Sequence, residues 1–132
     1  MPVMVCSNVI FDVTNDDPIW ANWSDSQITA HQPGGLLIYP LIYAELCTDA
    51  STTSDVDKVL AGLKLELHEL TRDALFLAAK AYLKYRRQGG TKTALLPDFF
   101  IGAHAQVLSV PVLTRDAGRF TSYFPGVQLI CP

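Results

Sequence analysis

Short aliphatic runs bounded by polar or turn-forming residues recur along this chain, and between them apolar positions return at the three-to-four-residue spacing of a helix. Val3 to Cys6 opens the pattern as a strand buried on both faces, broken by Ser7-Asn8. Asn8 suits the cap of a short helix over Val9 to Val13, and a second helix is predicted from Ile19 to about Thr29, with Trp20 and Trp23 on one side as packing residues. After the turn His31-Gln32-Pro33-Gly34-Gly35, Leu36 to Tyr39 reads as a second buried strand. Pro40 stops it and opens a helix that carries Glu45. Ser54 is expected to cap a helix over Asp55 to Leu63, where Val56, Val59, Leu60 and Leu63 keep the helical spacing.

Leu63, Leu65 and Leu67 alternate with polar residues and predict a short half-exposed strand. Thr71 then caps a long helix to about Gln88, with Leu75, Ala78, Tyr82 and Tyr85 along one stripe, Arg86 and Arg87 in the last turn, and Gly89 as terminator. A further helix begins at Pro97-Asp98, Pro111 to Thr114 reads as a strand, and Val127 to Ile130 forms the last strand after the turn Phe124-Pro125-Gly126. Buried strands alternating with helices predict an α/β fold, a three-layer sandwich with a central parallel sheet flanked by helices. With 132 residues, 49% of them hydrophobic, the chain is expected to be a single domain over 1–132 whose core needs neither metal nor disulfide.

Composition narrows the setting. Cys6, Cys47 and Cys131 include no C-x-x-C pair and no zinc spacing, which points to a reducing compartment. The first residues lack a basic leader, and the uncharged run from Pro33 to Ala44 is too short, and interrupted by Pro40, to cross a bilayer. A soluble cytoplasmic protein with no membrane partner is therefore expected. Net charge is only -3, but its distribution is uneven: from Lys80 to Arg119 seven basic residues face two acids, Asp98 and Asp116. A phosphate-binding surface around an acidic cluster would need that balance, although a solvated helix end accounts for Arg86 and Arg87 equally well.

In a parallel sheet, ligands bind beyond the carboxyl ends of the strands. The predicted elements bring Cys6, Ser7 and Asn8 to that edge, then Glu45, then Thr114 and Asp116, with Asp98 reaching it from the start of its helix. Asp98 after Pro97 would by itself be a helix-end charge, and its face continues through the apolar or small Ile101, Gly102 and Ala105. Three carboxylates from distant segments would repel one another without a cation, and hard oxygen donors favour magnesium or manganese. Asp12, one turn beyond Asn8, is either an assistant to that group or a helix-surface acid. His104 lies on a different helical face from Asp98 and reads as structural or solvated, while His31 and His68 have no catalytic partner in the sequence.

Four segments in order resemble the PIN domain, and within it the VapC-type toxins of toxin–antitoxin pairs: Val5-Cys6-Ser7-Asn8-Val9-Ile10-Phe11-Asp12, Ile42-Tyr43-Ala44-Glu45-Leu46, Pro97-Asp98-Phe99-Phe100-Ile101-Gly102-Ala103-His104-Ala105 and Leu113-Thr114-Arg115-Asp116. The resemblance implies metal-dependent cleavage of RNA, a homodimer, and inhibition by a small cognate antitoxin seated in the cleft. It places the acidic positions at Glu45, Asp98 and Asp116, with Ser7, Asn8 and Thr114 as polar support. In such a site the cation lowers the pKa of bound water and neutralises charge building on the phosphate.

One position departs from the pattern. The first motif begins with an aspartate in the family, and Cys6 stands there. A thiol with a pKa of about 8.5 is mostly protonated near neutral pH and is a soft ligand, so weaker magnesium binding and reduced or lost cleavage are expected. Arg86, Arg87, Lys92 and Arg115 are candidate contacts to the RNA backbone. Two other readings follow from Cys6. It could be a nucleophile at a helix N-terminus, though Asp12 stands where a phosphatase-like loop needs an arginine; or the chain is a PIN-like module that binds RNA or an antitoxin without cutting.

Overall fold

A computed structural model describes residues 1–91 and 97–132 of the chain. In order, the elements are β1 (Val3–Val5), α1 (Ser7–Thr14), α2 (Ala21–His31), β2 (Leu36–Ile38), α3 (Pro40–Cys47), α4 (Thr53–Leu63), β3 (Leu65–Leu67), α5 (Arg72–Arg87), α6 (Pro97–Leu108), β4 (Val112–Leu113), α7 (Gly118–Tyr123) and β5 (Leu129–Ile130). All five strands pair in parallel in the order β3-β2-β1-β4-β5. The central strands are short and wholly aliphatic because both of their faces are covered, so every residue of β1, β2 and β4 is buried.

The strand order steps one way from β1 to β3 and then turns back past β1 to β4 and β5. With right-handed crossovers, that reversal sends α1 to α4 to one face and α5 to α7 to the other. The expected α/β sandwich is thus the observed one. It also makes the gap between β1 and β4 a topological switch point, where chains leave in opposite directions and a crevice opens at the carboxyl edge. Register there is set by Met4 opposite Val112 and Val5 opposite Leu113, with the Cys6 N–H donating to the Leu113 carbonyl at 3.0 Å.

Several boundaries differ from the expectation for local reasons. Cys6, not Asn8, is the N-cap of α1, so Asn8 lies inside the first turn with its side chain free to bond elsewhere. Thr52, not Ser54, caps α4: its hydroxyl accepts the Asp55 N–H at 3.2 Å while the Asp55 carboxylate accepts the Thr52 N–H at 3.3 Å. Leu63 ends α4 instead of starting a strand, because Lys64 takes a left-handed conformation at φ 58° and turns the chain into β3. Thr71 does cap α5, accepting the Ala74 N–H at 3.1 Å. The short helix α7 was not expected. Its buried Phe120, with Phe124 just beyond its end, packs it down, and Gly102 of α6 lets the Phe124 ring lie where a β-carbon would collide with it. No helix among the described residues is long and apolar enough to cross a membrane.

Candidate active site at the carboxyl edge of the sheet

Cys6 follows the last residue of β1 and is 3% exposed. Burial pushes its thiol pKa up, opposed by a hydrogen bond with Thr114, and the charges of Asp98, Glu45 and Asp116 push it further up in that order. The charges of three segments remote in sequence thus all reach this buried sulfur at the carboxyl edge of the sheet. The same field holds the thiol protonated, the opposite of what an attacking thiolate requires. That removes the support for Cys6 as a nucleophile.

Each acid is met by a donor of the chain itself. The Ser7 hydroxyl, in the first turn of α1, donates to Glu45 Oε2 on α3. Asp116, just past β4, accepts the Gly118 N–H at 3.0 Å and so fixes the entry to α7. Asp98, in the first turn of α6, pairs with Arg119 of α7, Nη1 to Oδ2 at 3.3 Å. Burial raises the Asp98 pKa, the Arg119 hydrogen bond and charge lower it, and Asp116 raises it; the net shift is upward. Among the described residues, no three His, Cys, Asp or Glu side chains stand close enough to hold a metal ion. As placed, then, the acids share one edge but do not fit a cation between them.

Polar support forms a lattice across the switch point. Asn8 Nδ2 donates to Thr114 Oγ1 at 3.3 Å, and Asn8 Oδ1 accepts the Arg115 N–H at 3.3 Å. Thr114 Oγ1 in turn accepts the Asp116 N–H at 3.1 Å. Asn8 on α1 thereby sets the path of the segment that carries Asp116. Tyr39, at the end of β2, is fully buried and donates its hydroxyl to the Pro97 carbonyl at 2.8 Å, tying the start of α6 to the sheet edge. Burial first, then Glu45, Cys6 and Asp98, raise the pKa of that phenol, so it remains a donor.

Two expectations change here. Asp12 is not a surface acid: it is 3% exposed and accepts Ser24 Oγ at 2.6 Å, Arg115 Nε at 2.7 Å and Arg115 Nη2 at 2.9 Å. Arg115 correspondingly is not an open phosphate contact, because its guanidinium is forked on Asp12 and lies over the Trp20 ring, 5.3 Å from its centroid. Arg86 and Arg87 are exposed at the end of α5, where Tyr85 meets Phe99 near the start of α6, and Arg86 Nη1 donates to the Gly90 carbonyl at 3.1 Å. They stand at the Asp98 end of their helix pair. Lys92 lies outside the described residues.

Ser24, Tyr39 and Arg119 are not assigned to this edge by the sequence, and Asp12 is read there only as an assistant or a surface acid. Arg119 has a faint signal, since it precedes Phe120 and Phe124 at helical spacing within the basic half of the chain; Ser24 and Tyr39 have none, their partners lying 12 and 58 residues away. His104 is structural, not solvated: it is 1% exposed, with its ring edge-on to Tyr39.

No family model and no curated protein match the sequence. Solved structures do. A chain of a toxin–antitoxin complex from Klebsiella pneumoniae is 18% identical, with a TM-score of 0.73 over 98% of this chain and 97% of that one. VapBC2 from Rickettsia felis, bound to a DNA fragment from its promoter, gives 16% identity and a TM-score of 0.72 over 100% and 99% of the two chains. VapC20 of Mycobacterium tuberculosis, a sarcin-ricin loop cleaving toxin, gives 12% identity and a TM-score of 0.67 over 98% and 99%. At such identities the likeness establishes the fold alone, and the shared fold runs over nearly the whole length of each chain.

Proposed function

We propose that this chain is a ribonuclease toxin of a toxin–antitoxin pair, with Glu45, Asp98 and Asp116 as its acidic site and RNA as its substrate. The observation that carries the reading is the hydrogen-bonded edge at the β1/β4 switch point of a VapC-like fold, where Ser7 holds Glu45, the Asn8–Thr114 pair sets the segment carrying Asp116, and Tyr39 ties down the start of the helix carrying Asp98. Ser7, Asn8 and Thr114 act as positioning residues: the first orients Glu45, and the other two set the strand end that carries Asp116. Arg86, Arg87 and Lys92 are proposed as backbone contacts, which would make binding weaken as salt rises. Magnesium or manganese is the proposed cofactor, supported by the hard carboxylate donors and opposed by the thiol at the first position and by the spacing of the acids among the described residues. A small antitoxin, supported by the toxin–antitoxin complexes among the structural neighbours, and a second copy of the chain complete the proposed assembly.

A second reading has its own support. A protonated thiol and acids already satisfied by the chain suit a module that holds RNA or an antitoxin without cutting. Cleavage of mixed RNAs with magnesium and then manganese, against an Asp98→Ala control, separates the two. Metal-dependent cutting that the substitution abolishes is expected. RNA binding by both proteins, with cutting by neither, would overturn the ribonuclease reading in favour of the module.

A further inference from the structure

At this edge the acids look ready for a cation, yet no three of the described donors gather for one. The reason lies in what already bonds them. Glu45 and Asp116 are met by neutral donors, the Ser7 hydroxyl and the Gly118 N–H, whereas Asp98 is met by a full positive charge on Arg119.

That charge is held in position by packing. Phe120 and Phe124 are each 2% exposed, and the close approach at Gly102 seats α7 on α6. The Arg119 guanidinium also lies over the Tyr85 ring, 5.9 Å from its centroid. Its partner stays within reach of solvent: the Arg119 and Asp98 side chains are 37% and 32% exposed, so an ion in solution can contest the pair.

We infer that Arg119 is the resident cation of this site, standing beside Asp98 where a divalent ion would otherwise bind and competing with such an ion for that carboxylate. The inference rests on the acidic-site reading above. It accounts for the edge as a whole: with Cys6 contributing no charge, one guanidinium offsets part of the charge of three acids without chelation. A divalent ion must therefore displace Arg119, or bind short of one ligand.

Direct Mn2+ binding, followed by the electron paramagnetic resonance of the free ion with no RNA present, tests this on the full chain. Arg119→Gln is expected to bind Mn2+ roughly fivefold more tightly than the parent, the factor for releasing one partly exposed ion pair. Arg119→Lys, which keeps the charge but loses the planar guanidinium, is expected to fall between them, and it gives an independent reading should the glutamine variant fold poorly. In an Asp98→Asn background the gain from Arg119→Gln should vanish. Affinity unchanged or lowered by both Arg119 substitutions, or a gain that survives without Asp98, would overturn the competition. If Glu45→Gln and Asp98→Asn also leave parental Mn2+ binding untouched, the acidic-site reading falls with it; if they weaken binding while the Arg119 substitutions do nothing, only the role of Arg119 is lost.

Discussion

Where a carboxylate at the end of β1 would add a charge and two hard oxygens, Cys6 offers a buried thiol held protonated by burial and by three neighbouring acids. Cys6→Asp should therefore have opposite effects with and without metal. In chelator, a fourth carboxylate in a desolvated spot facing Asp98, Glu45 and Asp116 is expected to destabilise the fold by about 1–3 kcal/mol. In excess Mn2+, the same group becomes a ligand, and the melting temperature should recover and pass that of the parent through binding linkage. RNA cleavage should rise with it. Melting curves in chelator and in Mn2+ read both halves, and a variant indifferent to metal would place the first ligand position somewhere other than Cys6.

At the scale of elements, the forked pair between Asp12 of α1 and Arg115 after β4, backed by Ser24 of α2, joins three segments beneath the site. Arg115→Ala leaves a carboxylate that is 3% exposed without its counter-charge, and is expected to cost about 2–4 kcal/mol in urea denaturation, discounted for the partly exposed guanidinium. The double variant Asp12→Ala with Arg115→Ala should lose much less than the sum of the two single changes; strict additivity would mean the pair is not coupled. The same contact marks the limit of what the sequence makes legible. The strands β1 and β2 are readable because aliphatic runs end abruptly at Ser7-Asn8 and Pro40, and α6 is readable from Pro97-Asp98 before an apolar stretch. Glu45, Asp98 and Asp116 could be gathered on one edge from parallel topology alone. Asp12 could not be placed, because its partner is 103 residues away and a helical acid looks the same whether it faces solvent or an arginine. Likewise α7 has no side-chain cap bond and no long periodic stripe; it exists because Phe120 is buried and Phe124 finds Gly102, contacts of tertiary origin.

For the molecule as a whole, the pH dependence of stability should show the imprint of one histidine inside the core. His104 is 1% exposed, lies edge-on to Tyr39, and its Nδ1 has no hydrogen-bond partner among the described residues. Burial, with a smaller contribution from the nearby His68, lowers its pKa below the usual 6.5. The unfolded chain therefore takes up a proton that the folded chain refuses. Stability contributed by the neutral ring is complete above about pH 6.5 and is lost as pH falls toward the folded pKa, at a slope of up to about 1.4 kcal/mol per pH unit for one proton. Asp98 acts with the opposite sign in a lower window: its folded pKa is raised above 3.8, so between those two values the native state keeps a proton that the unfolded chain has released, and stability there increases as pH falls. Urea denaturation between pH 5 and 8 should accordingly show a decline on the acid side that His104→Leu flattens, while Asp98→Asn leaves that decline in place. A slope unchanged by His104→Leu would assign the acid sensitivity to other groups and leave the buried ring as packing alone.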